Sequence, residues 1–138
     1  MEHPLERLVL SGLILAMFAL AATGVAALAR RAIGKRLIGG RYVGSPGPTL
    51  LYFWSADCSS CAYQERQIEE AAQALALQGT ALLVRKIDAI EHTALARSMN
   101  VVTLPTTVLL DIVGNVVAWN PGVRAARTIV SQVEMSRR

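Results

Sequence analysis

Cys58 and Cys61 are the two cysteines of this chain, and they lie three residues apart. They follow an apolar and aromatic run, residues 50–54, that is typical of a strand buried on both faces. Cysteines at positions i and i+3 of a helical turn are close enough to form a small disulfide ring. We therefore interpret the pair as a redox-active dithiol, rather than as two small core residues that happen to be neighbours.

The apolar residues around the cysteines alternate between strand and helix patterns. They predict strands at 49–54, 80–87, 106–110 and 116–119, and helices at 61–78, 91–99 and 124–135. The second strand is expected to be buried like the first, and Gly114-Asn115 predicts a hairpin between the last two strands. This order, β-α-β-α-β-β-α, predicts an α/β domain in which a central mixed sheet carries helices on both faces.

Residues 8–29 contain no charged side chain and only two polar ones, Ser11 and Thr23. As a helix, these 22 residues would be about 33 Å long, enough to cross a bilayer core of about 30 Å. Because a helix packed on a globular core would need a polar face, we predict one N-terminal transmembrane helix. A cleaved signal peptide is the alternative. The length of the segment, the single basic residue before it and the two arginines after it argue against cleavage.

The net charge of +4 lies entirely before residue 48, where six basic residues meet two acidic ones; eight basic and eight acidic residues follow. Five of those six basic residues lie between positions 30 and 41, directly after the apolar segment. This cluster suits anionic lipid headgroups, and nucleic acid is not an expected partner. By the positive-inside rule, we expect a single-pass protein of the cell membrane whose larger part faces the cytoplasm, with an extracytoplasmic domain as the alternative.

The chain is thus expected to have four parts. They are an N-terminal tail (1–7), a transmembrane helix (8–29), a basic juxtamembrane segment with a Gly/Pro-rich linker (30–47) and one globular domain (48–138).

Residues 52–61, the segment Thr103-Leu104-Pro105-Thr106 and Gly122 beyond the predicted hairpin resemble the landmarks of the thioredoxin family. The resemblance covers about residues 48–136. It implies a thioredoxin-like fold, a central mixed sheet flanked by helices, here preceded by the transmembrane helix. It also implies that Pro105 is a cis-proline placed against the dithiol. The site residues that it implies are the catalytic Cys58 and Cys61 and the substrate-binding Trp54, Leu104, Pro105 and Gly122.

Disulfide exchange needs a thiolate, whereas a cysteine at neutral pH is mostly a thiol. The N-terminus of a helix, with its N–H groups and the positive end of its dipole, lowers the pKa of a thiol placed there. We expect Cys58 to hold that position and to act as the nucleophile. Cys61, one turn deeper, would then attack the mixed disulfide and release the substrate as a dithiol.

The chain departs from the family's pattern around the dithiol. Tyr52 stands where thioredoxins have a buried aspartate that shuttles protons to the deeper cysteine, and Val84 aligns with the lysine that usually pairs with it. Asp57 replaces the aromatic residue before the first cysteine, and Ser59-Ser60 replaces Gly-Pro. A carboxylate next to the nucleophile opposes thiolate formation, whereas serine hydroxyls favour it, so the sequence leaves the redox potential open.

Without that aspartate, proton transfer at Cys61 has two routes, water or Glu65. Glu65 and its charged neighbours on the helix are otherwise expected to form a solvated face. His3 and His92 lack metal-ligand spacing to the cysteines, so we expect no metal site of this kind and no cofactor.

The leading hypothesis is a membrane-anchored enzyme that reduces disulfides in partner proteins, supplied by an electron donor that the sequence does not identify. One alternative is extracytoplasmic thiol–disulfide exchange, such as cytochrome maturation or the oxidation of exported proteins. Two others are a metal-handling module that holds Cu(I) between the two thiolates and a binding module without catalysis.

Overall fold

The computed structural model describes residues 10–21 and 46–137. Residues 10–21 are helical, and all of them are exposed. Within these two ranges, no helix is both long enough and apolar enough to span a membrane. The predicted transmembrane helix (8–29) and the juxtamembrane segment (30–47) extend outside the described residues, so these two assignments stay predictions.

The globular part contains four strands and three helices among the described residues. They are β1 (Thr49–Trp54), α1 (Cys61–Leu77), β2 (Leu83–Asp88), α2 (Thr93–Ser98), β3 (Thr106–Leu110), β4 (Val116–Pro121) and α3 (Ala126–Ser136). The sheet order is β2-β1-β3-β4. β1 pairs with β2 in parallel and with β3 in antiparallel fashion, and β4 pairs antiparallel with β3. The predicted mixed sheet and hairpin are confirmed.

The central strand β1 is buried on both faces, as its apolar run predicted. Because side chains alternate along a strand, Leu50 and Tyr52 point to one face of the sheet and Leu51 and Phe53 to the other. The first pair packs against the buried stripes of α1 and α3, and the second packs against α2. The two layers of helices cover both faces of β1, and its carboxyl end leads directly to the cysteines.

The prediction for the second strand was wrong in its start and in its burial. β2 begins at Leu83, because the preceding residues close α1: Gly79 adopts φ +71° and the Thr80 N–H donates to the carbonyl of Leu75. β2 is also an edge strand with one neighbour, so half of its residues, including Leu83, are exposed. Its apolar start resembles that of a buried strand, but the order of strands decides the burial.

The second helix is shorter than predicted, since it begins at Thr93 rather than at 91. The Asp88 carboxylate accepts hydrogen bonds from the N–H groups of Ile90 and Glu91, which forms a turn between β2 and α2. This turn carries Ala89 and Ile90 to the side of the dithiol.

Candidate active site

The two cysteines form a disulfide at the carboxyl end of β1. Their Cα atoms are 5.4 Å apart, and the N–H of Cys58 donates to the carbonyl of Ser55 in the turn that leaves the strand. Cys61 is buried, with 4 % of its surface exposed, whereas Cys58 is half-buried. An incoming partner would therefore meet the sulfur of Cys58 before that of Cys61.

The helix begins at Cys61, so Cys58 lies in the turn that enters α1 and not within its first helical turn. The N-cap residue, Ser60, makes no capping hydrogen bond with its side chain. Its hydroxyl instead lies 3.9 Å from the Cys58 sulfur. In the reduced protein, a hydroxyl at this place can donate to a thiolate, and a donor to the charged form favours that form.

Tyr52 lies beneath the dithiol, with 1 % of its surface exposed, and its hydroxyl donates to the carbonyl of Cys61 at 2.7 Å. Burial, and secondly the negative charge of Glu65, raises the pKa of Tyr52 to about 12. The hydroxyl therefore stays protonated at neutral pH. It serves as a hydrogen-bond donor that anchors the start of α1, and it does not take the proton-accepting role of the aspartate it replaces.

An ion pair flanks this position, although Tyr52 and Val84 stand where thioredoxins have the aspartate and the lysine of such a pair. Lys86 lies opposite Tyr52 in the β1–β2 register, while Val84 lies opposite Leu50. The Lys86 ammonium is 2.7 and 2.9 Å from the carboxylate oxygens of Glu65. It also lies 4.4 Å from the centre of a Trp54 ring. Glu65, on the dithiol helix, is thus paired with a cation on β2 and is not simply a solvated side chain.

Pro105 is preceded by a cis peptide bond, as the resemblance implied. Its carbonyl accepts a hydrogen bond of 2.8 Å from the N–H of Gly122, whose φ of +76° suits a glycine. The Thr106 hydroxyl donates to the carbonyl of Thr103 and closes the turn on the other side. The structure thus brings together two predicted substrate-binding residues that are 17 positions apart in sequence.

A groove of about 550 Å³ runs from the dithiol turn to α2 and to the segment before Pro105. Of the residues predicted to bind substrate, Leu104 lines this groove beside Cys58, while Trp54, Pro105 and Gly122 lie outside its lining. Two apolar side chains on its lining are largely exposed, Ile90 at 69 % and Val102 at 80 %. The lining also includes Asp57, Ser59, Ser60, Ala89, Ala96, Arg97 and Val101.

Sequence reasoning missed Gln64, which is completely buried one turn after Cys61. Its side-chain amide donates to the carbonyl of Arg124 at 3.2 Å and accepts from the Arg124 N–H at 2.6 Å. Gln67 accepts from the N–H of Ala126 in the same way. These bonds fix the loop between Gly122 and α3 to the dithiol helix, and α3 therefore begins two residues later than predicted. From sequence alone, a glutamine on an amphipathic helix does not show that its side chain will bind the backbone of a distant loop.

Among residues 10–21 and 46–137, no group of three or more His, Cys, Asp or Glu side chains is placed to hold a metal ion.

Comparison with known proteins identifies the family. The sequence pattern of the thioredoxin family matches residues 41–135. The chain belongs to the thioredoxin family. Membership of this family supports thiol–disulfide oxidoreductase activity, and thioredoxins act on the thiols and disulfides of proteins. No curated protein matches the sequence at a significant level.

Solved structures share the fold at low sequence identity. The chloroplastic thioredoxin z superposes with a TM-score of 0.61 at 20% identity, covering 73% of this chain and 88% of its own. Thioredoxin-2 of the malaria parasite gives 0.56 at 22% identity, with 64% and 82% covered. A mutant thioredoxin from Halobacterium salinarum gives 0.55 at 28% identity, with 66% and 75% covered.

Proposed function

We propose that this protein reduces disulfides in partner proteins through Cys58 and Cys61. The observation that carries the proposal is the asymmetry of the pair: a half-buried sulfur at the mouth of an open groove and a buried sulfur behind it, joined as a disulfide. One sulfur is accessible for attack on a partner, and the other is close enough to complete the exchange.

The cycle starts from the dithiol. The Cys58 thiolate attacks one sulfur of the partner's disulfide, forms a mixed disulfide and releases the other partner sulfur as a thiolate, which takes up a proton. The Cys61 sulfur, having lost its proton, then attacks Cys58. This step forms the disulfide present in the structure and releases the second partner thiol. Two electrons and two protons pass to the partner, so a reducing dithiol from an upstream donor must regenerate the enzyme.

The groove supports a protein substrate. Apolar side chains line it next to Cys58, two of them largely exposed, and Leu104 precedes the cis-proline at its edge. An extended segment of a partner can lie in such a groove and pair with the backbone at residue 104 while its disulfide faces Cys58. Only modest charge surrounds the motif, so shape and backbone pairing would select the partner more than electrostatic steering does.

We also propose that residues 8–29 anchor the protein in a membrane with the catalytic domain on the cytoplasmic side. The support is the uncharged stretch of 22 residues and the five basic residues that follow it. A cytoplasmic dithiol is kept reduced, which suits the reducing direction. A membrane-impermeant thiol reagent tests the orientation: labelling of Cys58 only after lysis supports this placement, and labelling in intact cells supports the extracytoplasmic alternative.

Trapping of the mixed disulfide tests the catalytic assignment. The full-length Cys61→Ser variant, incubated with disulfide-bonded insulin, should accumulate a mixed disulfide at position 58, because the resolving sulfur is missing. The matched Cys58→Ser variant should accumulate little, since its remaining sulfur is buried. Equal trapping by both variants would contradict the assignment of the nucleophile. Failure of the parent protein to reduce insulin with dithiothreitol as donor would contradict the function itself.

A further inference from the structure

The end of the domain opposite the dithiol exposes apolar side chains on several elements. Cys58 follows the carboxyl end of β1, whereas the chain enters β1 at the other end, after Pro48. Six residues of strand separate the two ends by roughly 17 Å. A cavity of about 270 Å³ shows which segments meet at the entry end, because its lining includes Pro46, Thr80, Ile112 and Arg137.

Four apolar side chains at this end are more than half exposed, and we call them the basal face. Leu77 ends α1, Ile112 and Val113 lie in the turn between β3 and β4, and Met135 lies in the last turn of α3. Their exposed fractions are 92 %, 56 %, 54 % and 61 %, respectively. Single exposed apolar residues are common, but a cluster contributed by three separate elements at one end of a domain marks an interaction surface.

The chain segment that leads to the basal face is basic in sequence. Arg137 lines the cavity there, and the five basic residues at positions 30–41 precede this end of the domain in sequence. No acidic residue occurs between positions 7 and 56. Asp111 accepts hydrogen bonds from the N–H groups of Val113 and Asn115 and from the side-chain amide of Asn115. Glu134 is the other acidic residue near this end.

The chain that enters the domain here comes from the apolar segment. Sixteen residues, 30–45, separate that segment from the first described residue of the domain. Fully extended, they would reach about 55 Å at most, so the basal face stays within reach of the surface in which residues 8–29 insert. An exposed apolar cluster preceded in sequence by a basic segment is a composition that binds an anionic bilayer interface.

We propose that the basal face docks on the surface of an anionic bilayer, with its four apolar side chains at the level of the headgroups. This proposal rests on the membrane anchor proposed above. Docking would direct the dithiol away from the bilayer, at about the length of β1 or more from the lipid surface. The enzyme would then act on disulfides in partner segments that stand off from the membrane, and not on those at the membrane surface.

The same observations argue against a second copy of this chain as the occupant. Two basal faces brought together would also bring together two leading segments that each carry five basic residues and no acidic one. Anionic headgroups supply the opposite charge, and they lie where the chain itself leads.

Tryptophan fluorescence in vesicles with brominated acyl chains tests the docking. The full-length protein is reconstituted into phosphatidylcholine–phosphatidylglycerol vesicles as Leu77→Trp or Ile112→Trp, with Val102→Trp as the matched control at the dithiol end. All three positions are exposed, so none of these changes disturbs the core. The native Trp54 and Trp119 are common to all variants, and the emission of the parent protein is subtracted.

We expect Trp at positions 77 and 112 to lose most of its emission to the bromolipids and Trp at 102 to keep it. The quenching at 77 and 112 should weaken in vesicles of phosphatidylcholine alone. If the protein floats with the vesicles but all three positions are quenched equally, or none is quenched, the docking proposal is wrong while the anchor proposal stands. Protection from acrylamide without lipid quenching, dependent on protein concentration, would overturn it in favour of self-association. Protein that does not float with the vesicles would contradict the anchor and the docking together, whereas insulin reduction reports on catalysis separately.

Discussion

Replacing Tyr52 with Phe should change the stability of the oxidised protein in a way that depends on pH. The hydroxyl is buried and donates to the carbonyl of Cys61 at 2.7 Å. At pH 7, loss of this neutral hydrogen bond should lower the free energy of unfolding by about 1 kcal/mol. The change is small in volume and leaves the aromatic ring in the core, so the fold should persist.

The free energies of unfolding of the parent and of Tyr52→Phe should differ most clearly in how they change above pH 10. Because the pKa of Tyr52 is raised from 10.0 to about 12 in the folded protein, the folded state holds this proton more tightly than the unfolded state. The stability that the protonated Tyr52 hydroxyl contributes is fully present below pH 10 and is lost as pH rises through 12. At pH 11, one unit above the unfolded value, the parent should have lost on the order of 1 kcal/mol that Tyr52→Phe does not lose. The difference between the two proteins should therefore nearly vanish or change sign.

Urea unfolding of both proteins at several values between pH 7 and pH 11 measures this difference. All other titrating groups are shared, so their contributions cancel in the comparison. Parallel stability curves for parent and variant would refute the reasoning, because they would mean that the hydroxyl has the same pKa in the folded and unfolded states.

Three further substitutions test contacts around the site by urea unfolding. Gln64→Leu should cost about 2 kcal/mol, since it leaves backbone groups of the loop before α3 without their partner; Gln73→Leu on the exposed side of the same helix should cost under about 0.5 kcal/mol. Gly122→Ala should cost about 1 kcal/mol through its positive φ alone, because a Cβ there meets no atom within 4 Å. Lys86→Met should cost under about 1 kcal/mol, since its ion pair with Glu65 is 40 % exposed, and the cost should shrink further in high salt. A cost for Gln73→Leu equal to that for Gln64→Leu, a neutral Gly122→Ala or a salt-independent Lys86→Met would contradict the respective argument.

Much of the fold was predictable because β1 is apolar on both faces and the helices are amphipathic. The bounds of β1 and β3 agree with the prediction. β2 was misjudged because its apolar start looks the same in a central strand and in an edge strand, and sheet order depends on pairing across the whole chain. The shorter α2 follows from the turn that Asp88 closes with its side chain, a contact that periodicity does not report.

The candidate site was also predictable in part. Spacing and residue type led to Cys58 and Cys61, and the resemblance led to the cis bond before Pro105. The role of Tyr52 as a donor to Cys61 could not be read from sequence, because it depends on how α1 lies over the sheet. The ion pair of Lys86 with Glu65 joins residues that are 21 positions apart in sequence. It depends on the β1–β2 register, which places Lys86 rather than Val84 opposite Tyr52, and the sequence did not reveal that register.

The proposed function requires Cys58 to be the sulfur that reacts first, and alkylation measures this most directly. The reduced full-length protein is treated with iodoacetamide across a pH series, and the modified residue is located by mass spectrometry. We expect Cys58 to react first, because its sulfur is half-buried whereas that of Cys61 is buried. Its half-maximal rate should fall below the pH of about 8.5 expected for an ordinary cysteine, because the Ser60 hydroxyl beside it can donate to the thiolate. A pH profile like that of an unstructured peptide, or faster modification of Cys61, would contradict it.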